Sequence, residues 1–280
     1  MPQSKSEHMA LAEKKLQLFL DLSEEVNPLL NMTLGKLNHA LRESAILMTM
    51  RNRVLLGLSL KAFASYERLS IDARDRRAEA CHHLKTMVEN FIYYHWVSGE
   101  AGEQRAKLVY AEGCRGMVAY YENSDEAELA DRWRELLEAH INGIESAWHE
   151  FRNKGLERLA GECGLDQHYQ RIYRRACEAA HVADLSTYMP PEPRGDLSLV
   201  PPDVSTLRAY VSMDYGLHLV CDLLHDASDI LHIGEGEKIR ELRQRMTSIK
   251  TINEITSQVF CIRTAITRLL RRWCRWYGRG

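Results

Sequence analysis

Apolar residues recur three and four apart along nearly the whole chain, and this spacing restricts the possible folds more than any motif does. A stripe repeating once per helical turn is buried most simply against other helices, and no β-branched run alternates long enough to form a strand. The pattern therefore predicts an all-α protein, a multi-helix bundle. Helices are expected over 8–27, 31–68, 72–98, 101–122, 125–153, 155–161, 166–183, 204–232 and 237–277. Asn123 with Ser124, and Gly234 and Gly236, read as stops, while Ser124 with Asp125, and Asp203, read as N-caps.

Five of the seven prolines fall within residues 188–203, "YMPPEPRGDLSLVPPD". Proline lacks the N–H and clashes with the preceding turn, so no helix crosses this stretch. It is expected as one long proline-rich loop, of the kind that serves as a lid, a binding loop or a linker. The organisation that follows is a main helical bundle over 1–187, the loop, and C-terminal helices over 204–280 that pack on the same bundle.

With 280 residues, 45% hydrophobic and 27% charged, the chain can bury a substantial core. Its longest apolar stretch, Ala45 to Ala64, is interrupted by Arg51, Arg53 and Lys61 and falls short of the roughly 20 apolar residues that cross a bilayer. No secretory pattern is seen at the N-terminus. The seven cysteines are scattered without a C-x-x-C pair, which predicts reduced thiols in a cytoplasmic protein and no metal or other cofactor. Overall charge is −2, yet residues 261–280 carry Arg263, Arg268, Arg271, Arg272, Arg275 and Arg279 and no acid, so the remainder is distinctly acidic.

Three constellations could carry chemistry. In "YQRIYRRACEAAH", Tyr169, Ile172, Tyr173, Ala176, Cys177 and Ala180 share one helix face, and Arg171, Arg174, Arg175 and Glu178 the other. His181 falls about 80° from Tyr173 and about 20° from Arg174, at the seam between the faces. Arg174 or Arg175 with His181 matches the R-x(4–6)-H signature of metal-independent HEPN ribonucleases, where histidine moves protons and arginine steadies phosphorane charge. Arginine stands at similar spacing before His82, His83 and His140, so the pattern is of low specificity, and a packed structural helix is the reading it favours.

Asp214, His218, Asp222, His225, Asp229 and His232 lie within an arc of roughly 80° on one helix, a spacing that metal ligands use in bundles. Val220, Leu223, Leu224, Ala227, Ile230 and Leu231 take the opposite side, so the stripe reads as a solvent face and metal ligands are expected to be none. Residues 82–97, "HHLKTMVENFIYYHWV", are apolar nearly all round and should cross the middle of the bundle. Lys85 and Glu89 would then need partners, either each other or, for Glu89, Arg174 or His181. In the terminal segment Trp273, Trp276 and Tyr277 could stack on bases while the arginines grip phosphates. Its stripe of Ile262, Ile266, Leu269, Leu270 and Trp273 argues instead for docking on protein.

"KTMVE" from Lys85 to Glu89 and "YRRACEAAH" from Tyr173 to His181 together resemble the DUF5677 family of uncharacterised bacterial helical proteins. That family's pattern places a basic residue four before a glutamate, then Tyr-x3-Ser-x3-His and a loop; here lysine replaces the usual arginine and Cys177 the serine. The resemblance covers roughly residues 40–235 and implies a helical fold and a candidate pocket around Glu89, Tyr173 and His181. It implies no activity, since the family has none established. Two functions are expected: a non-enzymatic protein- or nucleic-acid-interaction module, acting as a homodimer, on a partner protein or on RNA; or a HEPN-like endoribonuclease of toxin or defence type using Arg174 and His181.

Overall fold

In the computed structural model, residues 5–43, 49–77, 79–180, 202–231 and 235–249 are described, and every regular element among them is helical. In chain order these are α1 (Lys5–Glu43), α2 (Met50–Arg74), α3 (Ala80–Ser98), α4 (Gly102–Asn123), α5 (Ala127–Ile141), α6 (Glu145–Asn153) and α7 (Leu156–Glu162). There follow α8 (Asp166–His168), a π-helical stretch (Tyr169–Tyr173), α9 (Arg174–Ala180), α10 (Pro202–Leu231) and α11 (Gly236–Ile249).

Helix α10 occupies the centre, packing on α1, α2, α3 and α11, while α2 and α3 form the most extensive pair. Ala209, Tyr210, Met213, Leu217, Val220, Cys221 and Leu224 are all buried, as are Leu16, Phe19, Phe63, Tyr66, Leu69 and Met87 on the surrounding helices. Gly216 lets these helices close in, since a Cβ there would stand 3.0 Å from Leu69 Cδ1. Tyr66 also donates a buried 2.7 Å hydrogen bond to Ser23 Oγ, which fixes α2 on α1 without leaving the phenol unsatisfied.

Several expected boundaries are corrected. The break at residues 28–30 does not exist: α1 runs through Pro28. Pro28 is exposed while Val26, Leu29 and Leu30 are buried, so the lost backbone bond falls on the solvent side and the buried stripe holds the helix together. The expected helix over 31–68 is two helices, and the second begins at Met50 because its first turn is capped from elsewhere. Glu103 of α4 accepts from the Met50 and Arg51 N–H groups, both at 3.1 Å, and Thr49 accepts from Asn52 N–H at 3.2 Å.

The expected 72–98 helix starts at Ala80, because Arg76 turns the chain with φ +53° and pairs with Glu13 of α1. The expected 125–153 helix divides into α5 and α6 at Gly143, whose φ of +80° suits glycine. Ser124 and Asp125 end α4 rather than cap α5, Asp125 standing at φ +56°. Asp203 lies inside the first turn of α10, which opens at Pro202, a position that suits proline because that N–H has no helical partner. Gly236 opens α11 instead of ending a helix; Gly234, the 188–201 part of the loop and residues 250–277 lie outside the described residues.

Gly102 stands where α3 turns into α4, and a Cβ there would meet Val97 O at 2.5 Å and Arg51 Nε at 2.7 Å. Two substitutions at this corner should separate steric from electrostatic contributions. Glu103→Ala removes the α2 cap and should cost about 1 kcal/mol. Gly102→Ala pushes a methyl into a backbone carbonyl and should lower the melting temperature further; thermal melts of the two variants beside the parent protein give the order.

Candidate functional site

The stretch Tyr169–Ala180 lies antiparallel along α3, with His168 beside Phe91 and Tyr173 beside Lys85 and Glu89. The expected faces hold: Ile172 and Ala176 are buried, Tyr169, Tyr173 and Cys177 are half-buried, and Arg171, Arg174 and Arg175 are exposed. The backbone over Tyr169–Tyr173 is π-helical, a wider turn of a kind that recurs at functional sites. Within it Tyr169 and Tyr173 stack with centroids 5.3 Å apart.

Lys85 and Glu89 are half-buried rather than central, and no ion pair joins them among the described residues. Lys85 Nζ sits 6.0 Å from the Tyr173 ring centroid, a cation over an aromatic face. Burial, the Cys177 hydrogen bond and the Glu89 charge push the Tyr173 phenol well above its usual range, which keeps it neutral. Arg174 points the other way, donating to Gln170 Oε1 at 3.1 Å, and Gln170 in turn donates to Glu157 Oε1 at 2.6 Å. The expected reach of Glu89 to Arg174 is therefore not made. His181 lies outside the described residues, as do Arg263, Arg268, Arg271, Arg272 and Arg275.

One turn further along α3 the structure brings together groups that the sequence reading did not single out. His95 packs edge-on against Phe91 at 4.3 Å, and Phe91 lies 5.8 Å from His168. Burial pulls the His95 imidazole below its usual range, Asp226 of α10 opposing and His168 adding to the shift, and burial alone lowers His168. Beside them, burial and Asp226 push the Tyr94 phenol up. The signal was present as the run "YYHW" on a helix read as apolar all round, but nothing in the sequence linked it to His168 or Asp226.

The stripe on α10 is corrected. It is a solvent face only at its Asp229 end: Asp214 is buried and His218, Asp222 and His225 are half-buried, where α10 meets α1 and α11. Asp214 is 2% exposed, with His218 Nδ1 3.4 Å from its Oδ1 and 2.7 Å from its backbone oxygen. Asp222 pairs with Arg243 of α11, and His225 lies 3.6 Å from Asp229. Asp214 and Asp229 thus meet imidazoles one turn away on α10 itself, and Asp222 meets a cation of α11. Among the described residues no group of three His, Cys, Asp or Glu side chains is placed to hold a metal, and His232 lies outside them.

Among the described cysteines, burial raises the Cys114 and Cys163 thiols and pushes Cys221 up to about 12, which disfavours thiolate chemistry at these three. No described helix is long and apolar enough to cross a membrane.

The described residues define the chain as an all-α multi-helix bundle with a half-buried polar seam along α3. Compared with known proteins, it matches no family model, no curated protein and no solved structure.

His95 and His168 make stability depend on acidity. Each imidazole binds its proton less tightly in the fold than in the unfolded chain, so their contribution is complete above the ordinary histidine value of about 6.5. It declines as the pH falls below that and levels off beneath the lowered folded values. Melting temperatures measured between about pH 8 and pH 5.5 should fall on acidification, and the His95→Gln, His168→Gln double variant should show a shallower slope.

Proposed function

We propose that the chain is a non-enzymatic helical interaction module. The observation that carries this reading is that α5 has one substantial helical neighbour, α4, and presents most of its surface outward, with Ala130 its one buried residue. Leu136 of α5 and Tyr120 of α4 are exposed at 40% and 61% on this projecting hairpin. A projecting pair of helices with apolar side chains in water gains by covering them with a partner. The direction of Arg174 lends further support, since its guanidinium turns to Gln170 and away from the Tyr173–Glu89 side that a shared acid–base site would use.

A second reading is favoured by one observation, the π-helical turn carrying Tyr173 beside Lys85 and Glu89. These are the residues through which the chain resembles the DUF5677 family, and with His181 they would form the pocket of a HEPN-like metal-independent endoribonuclease of bacterial toxin or defence type. The cytoplasm, with RNA as substrate, is the setting that reading requires.

The two readings part on His181. In the interaction module, His181→Ala should lower stability by about 1 to 3 kcal/mol through an unsatisfied partner, and neither protein should cleave labelled RNA in EDTA. Cleavage by the parent protein that disappears in a variant of unchanged melting temperature would replace this reading with the ribonuclease.

A further inference from the structure

The outward side of the α4–α5 hairpin is acidic as well as unpartnered. Residues 122–145 hold eight carboxylates against two arginines, and both arginines are satisfied within the hairpin. Arg132 pairs with Glu128 at 3.0 Å, and Arg134 pairs with Glu122 at 2.7 Å and with Asp131. Glu135, Glu138 and Glu145 line an open cleft of about 530 Å³ whose walls include Ala139 and Ile141. Glu145 is tied to the Gly143 N–H at 3.0 Å, and the cleft holds no basic side chain. Leu136 lies one helical step from Glu135, so negative charge and exposed apolar surface adjoin.

The same sequence contains a segment of opposite character. Residues 261–280 carry six arginines, no acid, and an apolar stripe ending at Trp273. Guanidinium groups pair with carboxylates in planar two-point contacts, and a segment bearing arginine and tryptophan supplies both kinds of group that the α5 face lacks.

We infer that the outward face of α5 is the docking site for residues 261–280 of a second copy of this chain. This rests on the interaction-module reading and names the partner. The exchange is between copies because the last described carbonyl of α11, Ile249 O, is held on α1 by Lys15 Nζ at 2.7 Å, whereas α5 packs on α4. The chain thus leaves α11 beside a different helix from the one that supports α5. Reciprocal exchange of two such segments closes a two-fold dimer, with the same contact made twice.

The test uses the full-length chain with a photo-crosslinking benzoylphenylalanine in place of Trp273, mixed with isotopically heavy full-length protein. Light-to-heavy cross-links should map to residues 117–145. In a heavy partner carrying Glu135→Lys and Glu138→Lys their yield should fall about tenfold. Glu135→Gln with Glu138→Gln should give a smaller loss, and circular dichroism should show both variants folded, as exposed positions allow. Sedimentation should show the dimer giving way to monomer in the lysine variant. Cross-links confined to one copy, cross-links outside the hairpin, no cross-links, or a yield indifferent to the charge reversal would each overturn the inference. None of these outcomes bears on the RNA-cleavage result, so failure here is distinguishable from failure of the interaction reading.

Discussion

The bundle depends on how closely α2, α3 and α10 approach one another. Gly216 leaves room for Leu69, and Met87 Sδ lies 3.7 Å from where its Cβ would be. Leu69 and Met87 are fully buried, so a side chain at Gly216 would press on a packed Leu69 methyl and disturb the contact of α10 with α2. Burial of α10 follows from this contact, as does the position of α1, which covers it through Phe19 and Tyr210 with rings 5.9 Å apart. Helices farther from the contact are progressively less buried, and α5, two layers out, is nearly free.

Around that core, polar groups are used chiefly to fasten helices rather than to make a reaction centre. Trp96 donates to Glu162 at 2.8 Å while stacking on Phe151 at 5.1 Å, and Lys154 reaches the same carboxylate at 2.9 Å. These contacts, with Arg105 over the Trp96 ring, hold Glu162 below the ordinary carboxylate range and lock α6 and α7 onto α3. The Asp222–Arg243 pair does the same for α11 on α10. Cations and carboxylates that look like ligand sets in a linear sequence are here joints between helices.

Much of this was legible in the sequence, and its failures share a cause. Helical periodicity gave the fold class, the Asn123 stop and the faces of the Tyr169–Ala180 helix, because each depends on neighbours three or four residues away. The N-terminus of α2 was misplaced because its cap, Glu103, comes from another helix. The α10 stripe was assigned to water because a wheel shows which residues share a face but not what lies opposite. Asp214 is buried since α1 approaches its side of α10, and no local pattern carries that information. His95 and His168 were missed for the same reason: their relation spans two helices 73 residues apart in sequence.

The contacts of α1 have a consequence for how the protein is made. Lys15 holds the Ile249 carbonyl, and Glu25 pairs with Arg245 through two bonds of 2.5 and 2.6 Å, so α1 closes against elements more than 200 residues later. At a synthesis rate of about 5–20 residues per second, α1 leaves the ribosome roughly 10 to 40 seconds before α10 and α11 are complete. During that interval the stripe of Leu16, Phe19, Leu20 and Val26 lacks the cover that α10 gives it. Completion of this core is therefore gated by the arrival of α10, and α1, made before the other described helices, completes its packing late.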